Sequence, residues 1–278
     1  MAVDHMVPVP LPDSRQPPRP RTAVHRARRI HRWLGVIIGA QFLLWTVGGL
    51  YFSWTDLDAV HGDHLVRRPP TIPAAAPLVS IAPAIAALQS RMEVRSIQSI
   101  DLAMVLGRPT YRVAFQVDSG GRALSRRQFV DALSGIPRPP LTREEAVAVA
   151  RAAYTGTSAM RDVEYLAAGA AGAHHEYREQ PLPAWAIRFG DSEGATLYVP
   201  AEFGQVHRVR NNRWRWFDTL WMLHTMDYQG RDDFNNLVLR AFSLVGLVTV
   251  LSGFVLFGMT TGWARARRRR HAAAALGS

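Results

Sequence analysis

Apolar positions repeat along this chain in three ways. Two runs, residues 33–55 and 241–264, are apolar almost throughout and carry no charge. Each exceeds the roughly 20 residues that an α-helix needs to cross a bilayer core. Between them the repeat shortens. Residues 78–92 predict an apolar helix and 95–103 an extended segment, while 111–117 (YRVAFQV) alternates as a half-buried strand does. Residues 118–121 predict a turn. The same order then returns. Residues 141–154 (LTREEAVAVARAAY) predict a helix with a capping box, Thr142 and Glu145, and an apolar stripe of Ala146, Val149, Ala150 and Ala153. Short strands are expected at 162–167, 185–189, 195–199 and 205–210, with a hairpin turn at 191–194. Last comes 213–228, RWRWFDTLWMLHTMDY. Its Trp216, Phe217, Leu220, Trp221 and His224 fall on one helical face, rich in residues that favour a membrane interface.

The expected architecture is a membrane-anchored α+β protein, with each repeat a helix followed by antiparallel strands. Residues 1–28 form a disordered basic tail, 29–55 a first transmembrane helix and 56–77 an outer connector. Residues 78–138 and 139–212 form the two repeats, and 213–228 an interfacial amphipathic helix. Residues 233–263 form a second transmembrane helix, and 264–278 a second basic tail. Gly35 with Gly39, and Gly246 with Gly253, keep small residues on one helical face for close contact. Asp218 is expected to cap the interfacial helix or to pair with Arg215. Asp232 or Asp233 is expected to cap the second apolar helix.

Charge fixes the orientation. All 33 basic residues are arginine, and the net charge is +11. Residues 1–32 hold seven arginines and two acids, 265–270 hold five arginines, and 55–236 is balanced at 20 of each sign. The excess therefore flanks the apolar runs, as the positive-inside rule requires. Both termini are expected in the cytoplasm of a bacterium, with 56–236 extracytoplasmic and the lipid bilayer of the inner membrane as the first partner. The first run is too long for a signal peptide and lacks a small-residue cleavage site nearby, so it reads as an uncleaved anchor. No nucleic-acid partner is expected, since orientation and anionic lipid account for the basic tails. The chain has no cysteine, which removes thiol chemistry. It has no G-x-S-x-G or H-E-x-x-H stretch and no glycine-rich phosphate loop.

The histidines are the candidate cofactor ligands. On this topology His5, His25, His31 and His271 lie inside or at the inner interface, and the other six lie outside. His61 and His64 follow the first run and share a side with His224. Three such imidazoles suit haem iron, zinc or copper. Asp56, Asp58, Asp63 and Asp227 are available to orient the rings. Against this stands the plainer role of a histidine bonded to backbone or to an acid. His31 is a candidate inner axial ligand, paired with its copy in a homodimer, or simply an interface residue. His174-His175-Glu176 lies in a Gly/Ala-rich loop that sets no geometry, and His207 is expected to be structural.

The motifs RIHRWLG (29–35), YFSWTDLDAVHGDHL (51–65), LTREEAVAVARAAY, LYVPAEFGQV, WFDTLWMLHTMDYQG and LSGFVLFG resemble those of PepSY-associated transmembrane proteins. The resemblance covers roughly 29–262 and is weakest over 78–134. It implies an extracytoplasmic PepSY domain acting as a binding or regulatory module, with an envelope peptidase or a membrane complex as partner. The open sheet edges expected of such a domain suit an extended peptide. Larger relatives with four spans include iron-regulated proteins and siderophore reductases that carry haem between histidine-bearing helices. A haem-binding subunit of a ferric or siderophore reductase is therefore the rival reading, and a dimer would supply four helices. A structural assembly factor is the third.

Overall fold

The computed structural model describes residues 21–260. The tail assignments at 1–20 and 264–278, residues 261–263, His5 and His271 lie outside the described residues, as do the side chains of His25, Val255 and Leu256. The chain divides into two compact units, one reaching to Leu44 and resuming at Arg240, the other running from Trp45 to Leu239.

The first unit is a pair of helix segments, from α1 (Arg21–Trp54) and α6 (Leu237–Thr260). His31–Trp54 and Leu237–Phe254 are both long and apolar enough to cross a membrane. The two segments run antiparallel: Ser252 Oγ lies 3.2 Å from His31 Nδ1, and the Phe42 and Phe242 rings meet edge-on at 6.3 Å. Helix α1 begins earlier than expected, so residues 21–28 are helical rather than part of a disordered tail. They follow Pro20 and contain arginine and alanine, both strong helix formers. The expected glycine contacts also need correcting. Only Gly246 is closely approached, with Phe42 Cζ 3.2 Å from where a β-carbon would stand, while Gly35, Gly39 and Gly253 have nothing within 4 Å.

In the second unit, the end of α1 leads into α2 (Leu57–His61), which Asp56 caps through the Asp58 amide. Gly62 ends α2 at φ +77°, and a β-carbon there would stand 2.8 Å from Val209 Cγ1. A 3-10 turn, Asp63–Leu65, follows. The first repeat is α3 (Ala82–Arg91), β1 (Val94–Val105), β2 (Arg108–Ser119), β3 (Arg122–Asp131) and the two-residue β4 (Pro137–Arg138). The second is α4 (Arg143–Ala153), β5 (Met160–Leu166), β6 (Ala184–Phe189), β7 (Thr196–Pro200) and β8 (Arg208–Arg210). Each repeat makes its own four-stranded antiparallel sheet, in the order β1-β2-β3-β4 and β5-β6-β7-β8. The protein is therefore α+β, as expected. Strands β3 and β4 were not anticipated, and the helix expected from residue 78 starts at Ala82, where Ser80 Oγ accepts the Ala82 amide at 3.2 Å.

Helix α4 forms where the capping box predicted it. Thr142 Oγ1 accepts the Glu145 amide at 3.3 Å, and Glu145 accepts the Thr142 amide at 3.0 Å. Its Ala146 and Ala150 pack on Ile187, Leu197 and Val199 of the second sheet. The opposite face of that sheet is closed by Tyr177, stacked on Tyr198 at 4.3 Å. Every residue of β7 is consequently buried. The first sheet has a smaller core, Val113, Phe115 and Val130 against Ala84 and Leu88 of α3. Val105 and Phe129 leave that sheet to join the larger core.

The aromatic stretch forms α5 (Asn212–Thr225), begun by Asn211, whose Oδ1 accepts the Trp214 amide at 2.8 Å. Asp218 neither caps this helix nor pairs with Arg215. It is buried between Arg178, at 2.8 Å, and Arg231. Nor do Asp232 and Asp233 cap α6. Asn236 does so, accepting the Leu239 amide at 2.8 Å, while Asp233 accepts from Asn235 in a turn. The expected helix from residue 233 therefore starts at Leu237.

Candidate functional site

The four candidate histidines stand in separate settings. His31 meets Ser252 in the first unit. His61 ends α2 with its ring exposed, and Gly62 intervenes, so His61 and His64 do not share a helical turn. His64 Nε2 bonds to the Glu193 carboxylate at 3.0 Å. His224 lies among Trp45 (5.6 Å), Phe52 (5.9 Å) and Trp221 (6.2 Å), with Nδ1 buried and unpartnered. The apolar face of α5 packs on the end of α1, Phe217 lying 4.8 Å from Phe52. Trp216 turns away and is 66% exposed. Among the described residues no group of three or more His, Asp or Glu side chains is placed to hold a metal ion. The three outer imidazoles, His61, His64 and His224, are not among any such group.

What the second unit does assemble is a cleft in two parts. The polar part, about 850 Å³, is lined by Asp58, His61, Arg67, Arg68, His207, Arg208, Arg210 and their neighbours. The apolar part, about 570 Å³, is lined by Met104, Leu106, Val149, Ala152 and Ala153, with Pro70 and Gln205 at its margin. Val66, Arg67, Arg68, Pro69 and Val206 wall both parts, so the two lie side by side. Such a combination of apolar wall and a few polar groups is what ligand sites share.

Each wall is set by local structure. Residues 65–67 run as a strap along the end of α4. The Arg67 amide donates to Ala153 O at 2.7 Å, and its guanidinium donates to Tyr154 O at 2.6 Å and Ala152 O at 3.2 Å. These carbonyls belong to a helix end, where the last turn leaves acceptors open and a cation is favoured. Thr155 returns two bonds, from its amide to Leu65 O at 3.0 Å and from its hydroxyl to His64 O at 2.9 Å. Opposite the strap, Gly204 turns the chain at φ +74°, and a β-carbon there would stand 2.6 Å from Val105 Cγ2. Only glycine fits that approach without strain.

The polar part is cationic. Arg68 is exposed and makes no ion pair among the described residues, while Arg208 reaches only the His207 carbonyl, at 3.1 Å. Arg210 lies 4.0 Å over the Trp214 ring, and burial together with Arg208 lowers its pKa to about 10. His207 is half-buried. Burial, then the surrounding Arg208, Arg127, Arg112 and Arg210, push its pKa down to about 4, so the imidazole is neutral near pH 7. Asp58 and Asp63 are the acids in this wall.

Behind the cleft lies a charge network that sequence reasoning missed. Glu176 accepts from Arg215 at 2.7 Å and 3.1 Å and from the Tyr198 hydroxyl at 2.6 Å. Burial opposes its ionisation, but these bonds outweigh it and hold the carboxyl below its ordinary pKa. Arg210 Nε donates to the Glu176 carbonyl at 2.8 Å, which ties the network to the cleft wall.

No family model, curated protein or solved structure matches the chain.

Proposed function

We propose that the chain is a membrane-tethered binding module of PepSY type. Its two apolar helices anchor the second unit at the extracytoplasmic face of a bacterial inner membrane, where it takes up a ligand and regulates an envelope peptidase or membrane complex. The observation that carries this reading is the pair of adjoining cavities, one polar and one apolar, that share the wall of residues 66–69 and Val206. The anchoring half is supported by the arginine distribution and by the bare apolar side chains of the helices, among them Leu43, Leu244 and Phe254. No chemical step is assigned, because no nucleophile paired with a base emerges from the cleft walls.

Two measurements test it. The chain lacks cysteine, so Ser192→Cys and Ala2→Cys each give a single labelling site. An impermeant maleimide added to intact cells should label the first and not the second; the reverse result refutes the orientation. Partners captured from membranes by in-cell crosslinking should be lost when Ala152→Trp fills the apolar part. Recovery unchanged in that variant, and also after deletion of 55–236, would show that the domain binds nothing.

A further inference from the structure

The cleft has a polar and an apolar part that share five wall residues, and a ligand spanning them must suit both. The apolar part is walled by aliphatic side chains, Val66, Met104, Leu106, Val149, Ala152 and Val206 among them. A peptide lying there would bring an amide and a carbonyl per residue. Buried against aliphatic side chains these groups find no partner, which is costly, and the polar residues of that part are few, Arg67, Arg68 and Gln205. An alkyl chain brings no polar group. At the other end, Arg68 and Arg208 present guanidinium groups that pair with no carboxylate among the described residues, with Arg67 and Arg210 beside them. Four arginines there face two acids, Asp58 and Asp63, and His207 adds no charge near neutral pH. That end suits an anion.

We propose that the cleft binds a single-chain anionic amphiphile. The head group sits against Arg68 and Arg208, and the chain lies along Leu106, Val149 and Ala152. This rests on the reading of the second unit as a binding module and names its ligand class. A fatty acid and a lysophospholipid with an anionic head share the required chemistry.

The test uses the full chain in nanodiscs of zwitterionic lipid, with dodecanoate bearing a terminal diazirine as probe. After photolysis, label should map to residues 104–107 and 148–153. Unlabelled dodecanoate should compete. Lysophosphatidylglycerol competing as well would mark a lipid source, and its failure would mark the free acid. Dodecanol and lysophosphatidylcholine should compete at least about tenfold less well, the scale of one lost charge-assisted hydrogen bond. Arg68→Ala combined with Arg208→Ala should weaken labelling by a similar factor, and Ala152→Trp should abolish it. Should Ala152→Trp fail to fold, Leu106→Arg, at an exposed turn, serves instead. Label confined to α1 and α6, equal competition by dodecanol, or full labelling in a folded cleft-filling variant would each overturn the proposal. If Ala152→Trp abolishes partner capture while dodecanoate never labels the cleft, the binding module stands and this ligand class falls. An extended peptide is then the occupant.

Discussion

The two sheets have the same strand number and order, and they differ in how they are covered. The second is enclosed by α4 on one face and by Tyr177 on the other, so that β7 is buried at every residue. The first has α3 on one face, and along β1 residues 95–102 are exposed, including Ile97, Ile100 and Leu102. β1 is an edge strand, the kind that invites pairing with another chain. Charged Arg95 and Asp101 and two register shifts, at 94/96 and 97/99, blunt it. Coverage is thus divided: one repeat has its sheet enclosed on both faces, and the other keeps an open edge and supplies the β1-β2 turn that borders the cleft.

The comparison can be broken most sharply at Phe129. Its backbone belongs to the first sheet and its side chain to the core of the second. Phe129→Ala should cost about 4 kcal/mol in urea unfolding of the full chain in mild detergent. Hydrogen exchange should then show β1–β3 opening apart from β6 and β7. A smaller effect is expected behind the cleft. Glu176→Gln leaves Arg215 without its carboxylate and should cost about 2 kcal/mol, with the loss confined to the second sheet. Thr142→Ala should cost about 1 kcal/mol by the same measurement, through loss of the cap. Ile100→Ala, on the exposed edge, should stay within about 0.5 kcal/mol; a larger loss would mean that another chain or the detergent covers β1.

Acid should act on the cleft wall through His207. Its folded pKa of about 4 lies below the ordinary 6.5. Between those values the unfolded chain binds the proton more readily, so this contribution to stability is full above about 6.5 and declines as pH falls toward 4. Melting temperatures across that range should flatten in His207→Gln, and an unchanged slope would place the acid sensitivity elsewhere.

Much of the fold was legible because its signals are local. The capping box of α4, the alternation of β2 and the hairpin at 191–194 each lie within a few residues, and each formed where expected. Strand β3 was not legible, since RALSRRQFVD shows polar residues in succession and becomes a strand by pairing with β2. The Glu176 network escaped for a related reason: its partner Arg215 is 39 positions away, and nothing in the Gly/Ala-rich loop announces it. The settings of the histidines were not legible, because spacing along the chain does not fix what each ring meets. His64 was taken by Glu193 and His224 by aromatic rings, contacts that only the folded chain defines. The cleft left one sequence trace, the paired arginines at 67–68 and at 208 and 210, whose meeting depends on the strap and β8 being neighbours.

The strap has a mechanical consequence. Residues that wall both compartments also close the open end of α4, through Arg67 and Thr155. The cleft cannot widen there without parting those bonds, so its dimensions are set when the chain folds and a guest meets a finished mould. Little ordering of that wall would remain to be done on a ligand's arrival, which lowers the entropic cost of binding.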